Sequence, residues 1–112
     1  MTPAETLRLI GELEELVGRF GTCDYRALRR VVEIAFALMS EGPPDPAFRQ
    51  KIYSFDAWAG VGLSDHRFET VPGGLEEVKR SALAACSGMS DAIRRLGFHP
   101  PVAGWESPAR GP

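Results

Sequence analysis

The stretch that decides the fold is LEEVKRSALAACSGMSDAIRRL, residues 75–96. Its apolar and small residues recur at alternating intervals of three and four, which keeps one stripe of a helix facing a partner helix. Alanine fills the middle of the stripe, so the backbone of a partner helix can come close. The predicted packing seam comprises Leu75, Val78, Ala82, Ala85, Met89, Ala92 and Leu96.

The charges at the two ends of this stretch support the same helix. Glu76 and Glu77 lie near its start and Arg94 and Arg95 near its end, and both placements suit the helix dipole. Gly97 follows as a typical C-terminal glycine cap. We therefore predict one long helix over residues 75–96.

The first 21 residues predict a second helix. Thr2 is a typical N-cap, Pro3 suits the first helical position, and Glu5 completes a capping box. Gly21 is placed to end the helix. Its apolar side comprises Leu9, Ile10, Leu13, Leu16, Val17 and Phe20.

The opposite side of this helix carries a small residue every seven positions, at Ala4, Gly11 and Gly18. Glycine inside an exposed helix costs about 0.5–1 kcal/mol relative to alanine. The chain therefore either tolerates this loss of helix stability, or the stripe is a second contact face that another backbone approaches closely.

A third helix is predicted between a cap at Thr22 or Asp24 and the stop signal at residues 42–44. Because few residues separate it from the preceding helix, the two must be antiparallel neighbours. Arg29 and Glu33 are four residues apart, so we expect them to pair on its solvated side. The predicted seam comprises Tyr25, Leu28, Val32, Ala35 and Met39, with Val31 and Phe36 beside it.

Asp45 and Pro46 form another start signal, which predicts a shorter helix. A strand over residues 51–55 is the alternative, but the alternation there is too short to support it. Residues 60–74 break the helical pattern and are predicted to form a loop. The stripe of the short helix comprises Phe48, Ile52, Phe55 and Ala59, with Trp58 nearby.

Together these elements predict an all-α fold, a small antiparallel bundle of three long helices and one short helix. A chain of 112 residues has room for one domain with one modest core, which we place at residues 1–101. Residues 102–112 are rich in proline and glycine, and we expect them to form a mobile tail.

Composition and charge disfavour several classes of protein. The chain is 44% hydrophobic and 25% charged, as ordinary globular proteins are, and its net charge of −2 attracts neither nucleic acid nor anionic lipid. The sequence shows no signal segment and no apolar run long enough for a membrane span, so we expect a cytoplasmic protein. Cys23 and Cys86 are expected to be buried thiols, with a disulfide between packed helices as the alternative.

The seam favours a non-catalytic protein that binds other proteins, as an adaptor, a chaperone or an antiactivator-like regulator. The long helix outruns its neighbours by about one turn, so we expect a homodimer to cover the remainder of its stripe. Contacts with a partner are predicted at Ala82, Ala85, Ala92 and Trp105, the last being the one large apolar residue of the tail.

The alternative is a ligand-binding or metal-binding protein, or an enzyme subunit, with a site within residues 53–69. If the loop forms a helical turn, His66 and Glu69 share a face on which they can bind a metal or pass a proton. One histidine and one glutamate make half a metal site, and Trp58 is otherwise a lid on the core. Because standard motifs are absent, no catalytic residue, metal or cofactor is predicted. The alternative site comprises Tyr53, Asp56, Trp58, His66, Arg67 and Glu69.

Three fragments resemble the TraM-type quorum-sensing antiactivators, which are small, helical, dimeric proteins that sequester a LuxR-family regulator. The fragments are LRLIG at residues 7–11, RRVVEIA at 29–35 and LGFHP at 96–100, and they cover less than a fifth of the chain. The resemblance implies a helical dimer that binds another protein, and it transfers no functional residue.

Overall fold

A computed structural model describes residues 1–21, 25–61, 63 and 69–96. These residues form four α-helices, and no β-strand occurs among them. The predicted all-α fold is confirmed. The helices are α1 (Pro3–Gly18), α2 (Tyr25–Glu41), α3 (Pro46–Phe55) and α4 (Gly74–Arg95), and a π-helical segment (Asp56–Val61) continues directly from α3.

Local capping explains where α1 and α3 begin. In α1 the Glu5 backbone N–H donates to Thr2 Oγ1 at 3.1 Å, and the Thr2 N–H donates to Glu5 Oε1 at 2.9 Å. In α3 the Phe48 N–H donates to Asp45 Oδ2 at 3.0 Å. Both predicted starts are confirmed, because each side chain satisfies backbone donors that the first helical turn leaves free.

Two glycines set the start of α4. Gly73 has φ 94° and Gly74 has φ 63°, in the left-handed region that side chains with a Cβ rarely adopt. The Gly74 N–H donates to the Val71 carbonyl at 2.8 Å, which closes the turn before the helix. The helix therefore starts where the sequence supplies two adjacent residues that tolerate this backbone.

Helix α4 lies between α1 and α3 and contacts both. Near its start, Lys79 Nζ donates to the Phe20 carbonyl at 3.1 Å, just beyond the end of α1. Farther along α4, the Glu14 carboxylate of α1 acts electrostatically on the Cys86 thiol. On the side of α4 that faces α3, Gly88 lies against the Lys51 side chain.

The small-residue seam of α4 is covered by the chain itself. Ala82, Ala85 and Ala92 are 0%, 4% and 1% exposed, and they belong to one core cluster that draws on all four helices. The predicted close packing is thus met within one chain. That a partner also contacts these alanines stays a prediction, and the surface discussed below lies on another helix.

The predicted seam of α2 is wrong at most of its positions, although Ala35 and the neighbouring Val31 are buried as expected. Tyr25, Val32 and Phe36 are exposed, and Leu28 and Met39 are only partly buried. Helix α2 is rotated by about a quarter turn from the predicted orientation, since its buried side is centred elsewhere. The residues that it does bury are Val31, Ile34, Ala35 and Leu38.

Several predictions fall on residues that the structure does not describe. The tail at 102–112, Trp105, Cys23 and the proposed α2 caps lie outside the described residues. Cys86 is buried and free. No helix in the described part of the chain is both long enough and apolar enough to cross a membrane.

Candidate functional site

One side of α2 presents large apolar side chains to solvent. Tyr25 is 64% exposed, Val32 47% and Phe36 68%, and the partly buried Leu28 and Met39 lie beside them. We call these five residues the α2 outer face. They fall within about 40° on either side of one line along the helix. A single exposed apolar residue is ordinary on a protein surface, whereas a contiguous stripe containing two aromatic rings is typical of an interaction site.

The charged residues beside the outer face are not all paired. Arg29 is exposed and forms no ion pair or hydrogen bond with any described residue, so the predicted pair with Glu33 does not form. Glu33 instead lies 3.4 Å from Arg30 Nη1, on the side of α2 that turns toward α1. A guanidinium that has no ion-pair partner among the described residues thus borders the apolar stripe.

The charges of α2 are ordered against its helix dipole. Arg26, Arg29 and Arg30 occupy the amino-terminal half of α2, and its acids, Glu33 and Glu41, occupy the other half. Cations are favoured in the last turn of a helix and anions in the first, so Arg26 and Glu41 each cost an isolated α2 a few tenths of a kcal/mol. Helix α4 follows the favourable order, with acidic residues in its first turn and basic residues in its last.

A groove of about 540 Å³ runs between α1 and α2, lined by Leu16, Arg19, Arg26, Ala27 and Arg30. Arg30 Nε and Nη2 donate to the two carboxylate oxygens of Glu12 at 2.7 and 3.0 Å. This bidentate hydrogen bonding lowers the pKa of Glu12 and raises the pKa of Arg30. Arg19 lies 3.7 Å from Glu15, so two of the three arginines are matched by a carboxylate and the groove holds little net positive charge. The hydrogen bonds between Arg30 and Glu12 hold α2 against α1.

The described members of the alternative site are not joined to one another by hydrogen bonds. Tyr53 is exposed, and the Arg49 guanidinium lies over its ring, 5.9 Å from the centroid. Trp58 packs against the core, Asp56 is partly buried and Glu69 is exposed. None of these four is hydrogen-bonded to another of them within the described residues, and the groove lies elsewhere. The packing of Trp58 fits a lid on the core, and the alternative site stays a prediction.

The chemistry needed for a metal or a reactive thiol is not assembled in the described residues. They contain no group of three His, Cys, Asp or Glu side chains that is suited to a metal ion, while His66 and Arg67 lie outside them. Burial, helped by the nearby Glu14 carboxylate, raises the pKa of Cys86 to about 12. That thiol is consequently protonated and shielded at neutral pH, which makes it a packing residue.

Comparison of the chain with protein-family models, with curated proteins and with solved structures found no match. We accordingly carry nothing over from the resemblance to TraM-type antiactivators, and the function is argued from the surface alone.

Sequence reasoning assigned Tyr25, Val32 and Phe36 to the core or its margin, and so missed them as surface residues. One signal was available in the sequence. The valines and the larger apolar residues of α2 occur on two sides of the helix. A helix in a small domain buries only one apolar side against its own chain.

Proposed function

We propose that this chain is a non-catalytic protein-binding protein of the adaptor, chaperone or antiactivator kind, and that its interface is the α2 outer face. The observation that supports this proposal is the contiguous exposure of Tyr25, Val32 and Phe36 on one side of a helix whose other side is buried. Such a face suits another amphipathic helix, which would cover the stripe along its length.

The outer face offers enough apolar surface to hold a partner. An aromatic side chain covers about 150–250 Å², and burying apolar area is worth about 25 cal/mol per Å². Covering Phe36 and Tyr25 thus contributes several kcal/mol before the cost of association is subtracted. Aromatic residues at the centre of an interface commonly carry most of its binding energy.

Helix α2 is held in place before any partner arrives. Its inner side is fixed by fully buried apolar residues, and Arg30 ties it to Glu12 on α1 through two hydrogen bonds. A rigid helix presents its side chains without a further ordering cost, which favours affinity. The arrangement is that of a preformed docking face, with its specificity set by the side chains along one stripe.

The test compares Phe36→Glu with a matched control, Leu96→Glu. Leu96 is also a large exposed apolar residue, 44% accessible at the end of α4, and lies away from the outer face. Each variant is tagged and purified from the native cell, and the proteins retained are quantified against the wild-type chain. We expect Phe36→Glu to lose a specific retained protein, either another protein or untagged copies of this chain, while Leu96→Glu keeps it.

The same pattern of retained proteins for all three chains, with circular dichroism showing each one folded, would refute the α2 outer face as the interface. Circular dichroism is needed because a substitution that unfolds the chain also loses its partners. Phe36 makes few contacts within the chain, and we expect its charge substitution to leave the helical signal unchanged.

A further inference from the structure

We propose that the occupant of the α2 outer face is α2 of a second copy of this chain, running antiparallel across a two-fold axis. This inference rests on the proposed function, because it takes the outer face as the interface and adds the identity and direction of the partner. Two-fold pairing is the commonest form of self-association, since each favourable contact then occurs twice.

The charge order of α2 selects the direction. Its amino-terminal half carries Arg26, Arg29 and Arg30 without an acid, and Glu33 begins the acidic half. In an antiparallel pair the basic half of each helix faces the acidic half of the other, whereas in a parallel pair like charges face each other. Antiparallel pairing also brings each basic helix start toward the negative end of the other helix dipole, which offsets the unfavourable order within one chain.

The spacing of the outer face selects the register. Tyr25 and Phe36 are eleven residues apart, and their midpoint falls between Arg30 and Val31. Arg29 and Glu33 have their midpoint at Val31, half a residue away. One two-fold axis at that height therefore places Tyr25 opposite Phe36 of the second copy and Arg29 beside Glu33 of the second copy.

That register supplies partners for the side chains that a single chain leaves exposed. Arg29, which has no ion-pair partner among the described residues, gains a carboxylate, and the two exposed rings cover each other. Val32 lies close to the axis, where the apolar stripes meet. Because same-side flanks meet in an antiparallel helix pair, Arg29 and Glu33 are on the correct side of α2 to reach each other.

The experiment is a charge swap in the full chain, read by sedimentation equilibrium over a range of concentrations. We expect wild type to associate to a dimer. Arg29→Glu and Glu33→Arg are each expected to raise the dissociation constant about tenfold or more, and the double variant to restore it to within about threefold of wild type. Arg95→Glu, which reverses another exposed arginine without an ion-pair partner among the described residues, is the control and should change nothing.

Three results would overturn the inference. Tighter association of the single variants indicates a parallel pair, and a double variant as weak as the single ones indicates that these residues do not meet. If the chain stays monomeric to several hundred micromolar, the α2 outer face has a different occupant. If the Phe36-dependent partner of the preceding test is still retained, the proposed function stands and self-pairing fails.

The chain's own carboxyl-terminal residues are one such different occupant. This occupant is tested by the binding of an apolar dye to a monomeric chain. If Trp105→Ala raises dye binding and Leu96→Glu does not, the carboxyl-terminal residues cover the outer face. That result would also exclude self-pairing. Thermal unfolding of every variant is measured as well. It shows whether a loss of association is caused by unfolding, and it ensures that the double variant is compared with the single variants as folded chains.

Discussion

Val31 and Val32 are adjacent in α2, yet Val31 is fully buried and Val32 is 47% exposed. They mark two apolar sides of one helix. The side of Val31 packs into the core, and the side of Val32 continues to Tyr25 and Phe36 in solvent. A helix of this kind serves the fold with one side and leaves the other exposed, where we propose that a partner binds.

The core and the α2 outer face should differ sharply in their contribution to stability. Phe48 is fully buried, so Phe48→Ala is expected to lower the free energy of unfolding by about 3–5 kcal/mol. Phe36→Ala is expected to change it by less than about 0.5 kcal/mol, because the Phe36 ring has few neighbours within the chain. Urea unfolding of dilute, monomeric protein measures both values. Equal losses would show that Phe36 belongs to the core after all.

We predict opposite effects on stability when glycine is replaced by alanine at two positions. A Cβ at Gly11 meets no atom within 4 Å, so Gly11→Ala is expected to stabilise the chain by about 0.5–1 kcal/mol through helix propensity. A Cβ at Gly42 collides with the Leu38 carbonyl oxygen and lies 2.8 Å from the Phe48 ring, so Gly42→Ala is expected to destabilise it by about 1–3 kcal/mol. Thermal unfolding distinguishes them. Destabilisation by Gly11→Ala would instead reveal a close approach at the small-residue stripe of α1.

The raised pKa of Cys86 makes the stability of the chain fall in alkaline solution. Below pH 9, the ordinary value for a thiol, both states keep the proton and the full stability is present. As the pH rises from 9 towards 12, the unfolded state loses the proton first, which favours unfolding. Between pH 8 and 10 this amounts to about 1 kcal/mol.

Urea unfolding at pH 8 and at pH 10, in the presence of a reductant, tests this dependence. The Cys86→Ala variant retains Cys23 and serves as the control. It is expected to lose about 1 kcal/mol less than wild type over the same range. An identical alkaline loss in the two chains would mean that the Cys86 thiol is accessible in the folded state.

The seam of α4 should not tolerate a larger side chain. Ala85 is 4% exposed and enclosed by the chain's own helices, so Ala85→Leu is expected to cost about 1–3 kcal/mol by overpacking. Ala84→Leu, at the exposed neighbouring position, is expected to change the stability by less than about 0.5 kcal/mol. If both variants unfold at the wild-type urea concentration, the seam is not closely packed.

Most of the fold was predictable because its signals are local. The cap at Thr2, the cap at Asp45 and the seam of α4 each depend on residues within a few turns of one another. The seam also predicted correctly which side of α4 is buried, except at its end, where Leu96 is 44% exposed. The π-helical segment (Asp56–Val61) was not predicted, because Ala59 continues the spacing of an ordinary helix and is buried.

The orientation of α2 was not predictable from periodicity alone. Residues spaced as Tyr25, Val32 and Met39 satisfy a heptad as well as the truly buried set does, so the pattern had two solutions. Periodicity shows which sides of a helix are apolar, and it does not show whether the cover comes from the same chain. For this reason the α4 alanines were assigned to a partner interface, whereas the structure covers them with α1 and α3.

The most direct test of the α2 outer face is the native mass of the chain, measured by sedimentation equilibrium for wild type and for Phe36→Glu at the same concentrations. A single chain has a mass of 12.2 kDa. We predict that wild type approaches twice this mass as the concentration rises, and that folded Phe36→Glu stays at the mass of one chain. Superimposable curves for the two proteins would contradict self-pairing through the α2 outer face, because the exposed ring would then take no part in the association of two copies.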